Sequence, residues 1–523
     1  MSQVLPPEPR PVNTLSAHAC DPACTRYNAT HQCDVERNPI INGTLTLFDA
    51  TIVAVAVTLL FVISYVFGRE EKDTRDFFLG ARRVPWMVAC LSFVATEISA
   101  LTIVGFPATA YSENWEYVQF FLGSAVARVF VALVFIPAYY TYNCTSIYEF
   151  LGHRFGKETQ VAGSIFFFIT RLIASGVRLY AACLGVAMIL GWNLTQTLLM
   201  FTGVSTVFIA FGGIKAVVWA GAYQAVTFIV AGIALFIYLA GQIDGGFTAA
   251  WQTASEAGRL SCFRFDLDLN DPTTFWAGSA NAFFIGLAAF GTDQENVQRL
   301  LTVRTRKASQ RTLVATIWTV IPVMCLYLAI GTLLYVFYQQ YPEIPAPLQS
   351  KEVLSHFVTY SLPTGLKGLL LAAIILASID SPLSSLCSSF VTDIYRPLIR
   401  RQASERHYLW VARIGIVIFG FMLAVIAWAC APVENVLWFA FKIFSLTGGA
   451  TLGVFLLGLL TKRRANRGNV FAMVFSTGLT TTLLIMNQRG HMPLAWSWLI
   501  LVGTATTFVF GWLLGKTPGK SVR

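Results

Sequence analysis

Apolar segments long enough to cross a bilayer dominate this chain. A crossing needs about 20 residues, with a lower limit near 17. Of the 523 residues, 55% are hydrophobic and only 12% are charged. We therefore predict an all-α polytopic membrane protein with 13 transmembrane helices, called spans 1–13. Their predicted bounds are 46–67, 86–109, 118–140, 161–190, 195–211, 217–240, 275–292, 312–338, 366–390, 409–430, 434–460, 469–486 and 494–515.

The distribution of basic residues predicts the orientation of the chain. Lys and Arg cluster in the loops after odd-numbered spans, whereas loops 110–117 and 431–433 contain none. Because cytoplasmic loops are enriched in these residues, the N-terminal tail (1–45) is expected outside and the C-terminal tail (516–523) inside. This orientation requires an odd number of spans. The net charge of +10 thus reflects loop placement and does not indicate a nucleic-acid partner.

The N-terminal tail is polar and proline-rich, and it lacks the apolar region of a cleavable signal peptide. It contains Cys20, Cys24 and Cys33, which could bind a metal. If the tail lies outside the cytosol, one disulfide with one cysteine left over is favoured. Asn28 and Asn42 begin glycosylation acceptor sequences in the same tail.

Span 2 combines residues that a lipid-facing helix should not contain. It carries one carboxylate, together with hydroxyls and helix breakers: Glu97, Thr96, Ser99, Thr102, Gly105 and Pro107. Ionisable groups inside a membrane are costly and mark functional sites. Irregular backbone at that depth is tolerated where it lines a cavity. We interpret this stretch as the first half of a solute and ion site.

Other charged residues lie inside the predicted spans: Arg128, Arg171, Arg178, Asp380 and Lys442. Each could form an internal salt bridge or extend to the interface. A cavity is favoured for Glu97, Arg178 and Asp380, because small or hydroxyl residues surround them.

Span 9 contains oxygen-bearing groups that suit a hard cation. Ser378 and Ser381 lie three residues apart around Asp380, and Pro382 would loosen the backbone there. Sodium sites in transporters use unwound backbone carbonyls together with side-chain oxygens. The alternative is that these small residues serve helix packing.

Seven short motifs, in order along the chain, resemble those of solute:sodium symporters. They lie at 76–83, 92–100, 147–155, 212–219, 298–299, 392–395 and 453–459. The resemblance implies two inverted five-helix repeats, spans 2–6 (86–240) and spans 7–11 (275–460). Span 1 (46–67) and spans 12–13 (469–515) would be peripheral, and loop 241–274 would cover the outer mouth. Spans 2 and 7 would be discontinuous, and span 7 contains Gly278, Gly286 and Gly291.

The resemblance also implies a site for Na+ as the coupling ion. Its ligands would be the carbonyls of Ala95, Ile98 and Ile374 and hydroxyls at positions 377 and 378. Position 377 is alanine, so Asp380 or Ser381 would have to compensate. Members with a further sodium site have an acidic residue just after the motif at 217–219, where this chain has Ala220, Gly221 and Ala222, so we expect at most one sodium per cycle. Proton coupling through Glu97 or Asp380, or lost coupling, is the alternative.

For the solute, the resemblance implies a small organic molecule. Arg178 and Arg171 resemble arginines that hold a carboxylate, for which the guanidinium fork is well suited. Glu97, Ser99 and Thr102 would face the solute, with Tyr117 and Gln119 on the outer side of the pocket. We predict a carboxylate such as a sialic acid, a monocarboxylate or an amino acid. A sugar or polyol is the alternative solute, and mutual neutralisation of Glu97 and Arg178 is the opposing interpretation.

Three other classes compete with a transporter. The sequence shows no channel filter repeat and no nucleophile elbow, and its six histidines lie in the tail or loops, as expected for a non-enzyme. A sensor would need a cytosolic signalling domain. We predict uptake by alternating access, with a monomeric functional unit in the lipid bilayer of the plasma or bacterial inner membrane.

Overall fold

The computed structural model describes residues 45–68, 73–268, 271–344, 347, 349–379, 382–431, 436–491 and 495–516. The tail cysteines Cys20, Cys24 and Cys33 and the acceptors Asn28 and Asn42 lie outside the described residues. So do two candidate ion ligands, Asp380 and Ser381, and the C-terminal residues after Lys516.

Helices and turns form the described part of the chain, together with two isolated bridges. The long helices are Leu47–Gly68, Tyr117–Thr141, Lys157–Leu190, Leu194–Gln242, Phe275–Gly291, Arg306–Gln340, Glu405–Ala429, Val436–Leu460, Asn466–Gln488 and Leu499–Leu514. The shorter ones are Thr74–Leu79, Trp86–Glu97, Ala100–Ser112, Tyr148–Arg154, Gly246–Glu256, Gln294–Leu301, Val353–Tyr360, Leu366–Ser378 and Pro382–Ser389, with a π-helix at Phe390–Ile399.

Within the described residues, ten helices are long and apolar enough to cross a bilayer, and a bent pair in span 2 makes eleven. Leu194–Ala210 and Phe275–Gly291 are shorter apolar helices at the positions of spans 5 and 7. The prediction of an all-helical, multi-pass architecture is confirmed. The count of thirteen and the orientation stay predictions.

Span 2 is interrupted where its polar residues lie. The helix Trp86–Glu97 ends at Ile98, whose backbone is extended (φ −92°, ψ 94°), and a new helix begins at Ala100. The two halves are bent by 56°. Because the helix stops, the last carbonyls of its inner half lose their intrahelical partners. Span 2 is therefore discontinuous, as expected.

Span 7 contains no break among its glycines, and a break follows its last residues instead. The helix Phe275–Gly291 is continuous, and the next helix begins at Gln294. The released carbonyls are bonded: Tyr139 donates its hydroxyl to Gly291, and Tyr148 donates to Thr292 at 3.0 Å. The glycines instead allow close packing, since a Cβ at Gly286 would come within 2.7 Å of Ala127.

Span 9 is also interrupted. The helix Leu366–Ser378 ends at Ile379, and the next described helix begins at Pro382. Pro382 was expected to loosen the backbone of span 9, and the helix ends close to it, at Ile379. Spans 2 and 9 thus each have a helix end in the middle of an apolar segment.

Candidate functional site

A buried cavity lies between the interruptions of spans 2 and 9. The volume open to the centre of a water molecule is only about 10 Å³, so the cavity is nearly closed and solute binding would require the surrounding helices to move apart. The helices that surround it come from spans 2, 4, 5, 6 and 9 and from the short helix after span 7. The lining residues are Ser92, Ala95, Thr96, Ser99, Arg178, Phe208, Val217, Ala220, Gly221, Gln224, Arg299, Ala377 and Ile379.

Two guanidinium groups, and no carboxylate, are found among the described lining residues of this cavity. The other polar groups there are hydroxyls and one amide. Charges interact more strongly in a buried, low-dielectric site than in water. The two guanidinium groups therefore act strongly on any group that enters the described part of the cavity.

One side chain from span 4 and one from span 6 each contact one of the two helix ends. Arg178 donates from Nη1 to the released carbonyl of Thr96 at 3.4 Å, a long hydrogen bond. Gln224 donates from Nε2 to the carbonyl of Ile379 at 3.3 Å. These contacts satisfy backbone oxygens that the helix interruptions leave without a helical partner.

Arg299 is fixed by neighbours on two elements. Its Nη1 donates to the carbonyl of Glu295 at 2.7 Å, and its Nε donates to the hydroxyl of Ser92 at 3.2 Å. The carboxylate of Glu295 lies 3.8 Å from the guanidinium. These contacts fix the positive charge of Arg299 in position at the cavity wall.

Arg171, predicted to bind the solute beside Arg178, lies in a different environment. It forms ion pairs with Asp293, at 3.0 Å, and with Glu295, and all three side chains are buried. It is absent from the cavity lining. The structure therefore places it in an ion-pair cluster that holds the short helix Gln294–Leu301 against span 4.

Glu97 is paired with Arg128, through both carboxylate oxygens. Arg128 is fully buried, donates to Ser124 at 2.7 Å and lies 4.4 Å from the ring centre of Phe290. The interpretation in which Glu97 neutralises Arg178 is not found, because the carboxylate has a different partner. The Glu97 side chain is still 24% exposed.

The proposed sodium ligands lie around the same two helix ends. Ala95 and Ala377 line the cavity, and Ile98 ends the inner half of span 2. Ser378 donates its hydroxyl to the carbonyl of Ile374 at 2.6 Å. A donating hydroxyl retains lone pairs, so its oxygen could still bind a cation. The available groups are oxygen atoms, which fits sodium.

Of the remaining predicted solute contacts, Ser99 lines the cavity and Thr102, Tyr117 and Gln119 do not. Tyr117 packs against Phe106 and Phe120, with ring centres 4.9 and 5.5 Å apart. Gln119 donates to the carbonyl of Thr273 and accepts from the backbone of Arg264, so it connects span 3 to the outer loop. Solute contacts from Thr102, Tyr117 and Gln119 stay predictions.

Sequence reasoning missed Ser92, Gln224 and Arg299 as cavity residues. Ser92 and Gln224 lay in or beside family-like motifs but received no role. Arg299 lies in the basic segment after span 7, which the sequence predicts to be a cytoplasmic loop, yet its side chain is only 3% exposed. The prediction of a loop at this position is wrong, because the helix Gln294–Leu301 is polar in sequence yet buried at every residue. Because most of its residues are polar, nothing in the sequence indicated that this helix is buried.

Interrupted helices around a polar cavity at mid-span are the arrangement of secondary transporters. Residues 77–476 match the model of the Sodium:solute symporter family. The chain belongs to that family, and the resemblance predicted from the sequence motifs is confirmed.

Relatives with named functions match most of the chain. A sodium/sialic acid symporter of Proteus mirabilis is 27% identical over 86% of this chain and 91% of its own length. A sodium-dependent multivitamin transporter of Oryctolagus cuniculus is 31% identical over 80% and 67%. The sodium-coupled monocarboxylate transporter 1 of Homo sapiens is 27% identical over 80% and 70%.

The fold resembles that of a solved Na+-coupled sialic acid symporter in a substrate-bound outward-open state. The TM-score is 0.82 at 23% identity, covering 90% of this chain and 99% of that chain. This likeness establishes the fold.

Proposed function

We propose that this protein takes up a small, carboxylate-bearing organic solute by sodium-coupled symport. The observation that carries the proposal is the cavity wall, to which Arg178 and Arg299 each contribute a guanidinium. A guanidinium forms strong, bidentate hydrogen bonds with a carboxylate. The named relatives, described as sialic acid, monocarboxylate and multivitamin transporters, support this solute class.

Arg178 is the proposed carboxylate-binding residue. A carboxylate would bind the guanidinium more strongly than a neutral acceptor such as the Thr96 carbonyl, which lies at 3.4 Å. Arg299 is held by Glu295 and Ser92 and contributes mainly its positive field. Ser99 and Gln224 are placed to bind further polar groups of the solute. Glu97 could accept from an amino or hydroxyl group through its exposed part.

The proposed sodium site uses the carbonyls of Ala95, Ile98 and Ile374 and the hydroxyl of Ser378. The interruption of span 2 supports it, since it leaves backbone oxygens available beside the cavity. Position 377 offers no hydroxyl, so Asp380 or Ser381 is proposed to complete the coordination. One sodium per cycle is expected because Ala220, on the cavity wall, supplies no carboxylate.

We propose the full topology of thirteen spans in two inverted repeats, with the N-terminus outside and a single chain as the transporting unit. Each predicted segment contains an apolar helix or helix pair, which supports the count. The alternation of basic and non-basic loops supports the orientation. Plasma or inner membrane placement follows from the same reasoning.

The test is uptake into proteoliposomes that contain the purified full chain. Labelled N-acetylneuraminate, lactate and an amino acid would each be offered with an inward sodium gradient or with choline. We expect sodium-driven uptake of at least one carboxylate, with competition by the acid and not by its methyl ester. Equal competition by the ester would refute the carboxylate proposal. Uptake driven by a pH gradient in choline would favour proton coupling, which the missing hydroxyl at Ala377 makes the second candidate.

A further inference from the structure

A second cavity lies beside the turn between spans 1 and 2. It is lined by Asp73, Arg75, Asp76, Ala81, Arg82, Arg83 and Lys215, with an empty volume of about 810 Å³ including space open to solvent. It lies apart from the residues that line the transport cavity, and no step of the proposed transport uses it. Its chemistry therefore needs a separate explanation.

The lining of this second cavity is positively charged. Four basic side chains face two carboxylates, an excess of two positive charges. Asp76 is paired with Lys215 at 2.8 Å. Asp73 accepts the backbone N–H of Asp76 at 2.7 Å and so caps the helix Thr74–Leu79. Both carboxylates therefore have partners nearby, and the excess positive charge of the lining would attract an anion.

Arg82 has an unused donor at this site. Its Nη2 donates to the carbonyl of Cys144 at 3.3 Å, and its guanidinium carbon lies 4.9 Å from the ring centre of Tyr140. An arginine carries several N–H donors, so the guanidinium retains donors for an anion in the cavity.

The backbone that carries Arg82 is strained. Gly80, Ala81 and Arg82 have successive φ values of 60°, 50° and 55°. Non-glycine residues in this left-handed region are disfavoured, and such conformations cluster at ligand-binding and switch segments. Gly80 ends the helix Thr74–Leu79 in this conformation, and Ala81 and Arg82 continue it.

The position of the turn identifies the source of the anion. It joins Gly68, where the first apolar helix ends, to Trp86, where the next one starts, and Arg311 lies 4.0 Å from a ring centre of Trp86. Aromatic and basic residues at helix ends lie at the level of the lipid headgroups. Basic pockets between helices at that level bind anionic headgroups.

We propose that this cavity binds a phosphate group at the membrane surface. The phosphate of an anionic phospholipid is the ligand that the position favours, and soluble phosphate shares the chemistry. Bound there, the phosphate would accept from Arg82 and Arg83. It would also connect the span 1–2 turn to Lys215, which follows the kink between spans 5 and 6 at Gly213 (φ 51°, ψ −160°). The inference is independent of the transported solute.

The test measures thermal unfolding of the full chain in neutral detergent. Dioctanoyl phosphatidic acid, dioctanoyl phosphatidylcholine and inorganic phosphate would be titrated separately. We expect a saturable rise in Tm with phosphatidic acid and none with phosphatidylcholine. A rise with inorganic phosphate alone would support the site and assign it a soluble source. No rise with either phosphatidic acid or phosphate, or an equal rise with phosphatidylcholine, would overturn the proposal.

Variants locate the effect. Arg82→Gln should weaken phosphatidic acid binding about tenfold or more, because it removes a charged hydrogen-bond donor. Arg83→Gln, an exposed residue whose replacement should not disturb folding, should weaken it about fivefold. Arg467→Gln is the matched control, since that side chain is 90% exposed in another basic loop. If Arg82→Gln does not fold, Arg83→Gln carries the test, and unchanged binding in it would contradict the site.

Discussion

Replacement of Arg178 by glutamine is the sharpest test of the transport cavity. Glutamine retains a donor that could reach the Thr96 carbonyl, now bonded at 3.4 Å, but it removes the charge and the bidentate fork. A hydrogen bond to a charged group contributes about 1.5–3 kcal/mol. At about 1.4 kcal/mol per tenfold, the half-saturation concentration of a carboxylate solute should rise roughly 10- to 150-fold.

The assay is the initial rate of sodium-driven uptake into proteoliposomes across a range of solute concentrations. Arg178→Lys should give an intermediate defect, because lysine keeps the charge and loses the planar fork. Arg467→Gln, a change at an exposed arginine, should transport as the unaltered protein does. Arg171→Gln is expected to fail differently: it leaves Asp293 and Glu295 without their buried partner and should destabilise the fold by about 3–5 kcal/mol.

An unchanged half-saturation concentration in Arg178→Gln would refute the assignment of the carboxylate to this arginine. Competition by the neutral methyl ester separates charge recognition from indirect structural effects. If Arg178→Gln weakened inhibition by the acid and by the ester to the same extent, the guanidinium would act through the cavity wall rather than on the carboxylate.

Three further predictions concern stability. Arg128→Met should lower the free energy of unfolding by about 3–5 kcal/mol, because Glu97 is left as an unpaired charge, and denaturant titration of a variant that also carries Glu97→Gln should show recovery. Gly331→Ala should lower Tm, since its Cβ would lie 2.3 Å from a backbone oxygen of span 2, whereas Gly241→Ala meets nothing within 4 Å; equal Tm values would contradict the packing. Burial lowers the pKa of His356 in the folded chain, so the imidazole of the unfolded chain is protonated at a higher pH. The free energy of unfolding should therefore fall as pH decreases below 6.5. An identical pH dependence in His356→Gln would exclude this residue as the source.

The helical architecture was predictable from sequence because a bilayer leaves little choice. Backbone groups in the hydrocarbon must be bonded within the segment, so a long apolar run predicts a helix. A polar site at span 2 was predictable for a related reason, because a carboxylate with neighbouring hydroxyls is costly in lipid. The interruption itself was implied by the family resemblance, and the structure pairs the Glu97 carboxylate with Arg128.

The partners of the buried charges were not predictable in the same way. Arg171 and Arg178 share a helical face, but seven residues also separate them by about 10 Å along the axis. They therefore lie at different depths, and only Arg178 reaches the cavity. Glu97 had two arginines within conceivable reach, and the packing of span 3 against span 2 decides for Arg128. Such choices depend on helix positions that no local pattern records.

The helix ends of spans 2 and 7 differ in the side chains that contact their terminal carbonyls. After span 7, the hydroxyls of Tyr139 and Tyr148 donate to Gly291 and Thr292, and both tyrosines are fully buried. In span 2, the carbonyl of Thr96 accepts at 3.4 Å from Arg178, the side chain to which the solute is proposed to bind. We therefore expect the break in span 2 to move when the solute binds, whereas the break after span 7 stays fixed.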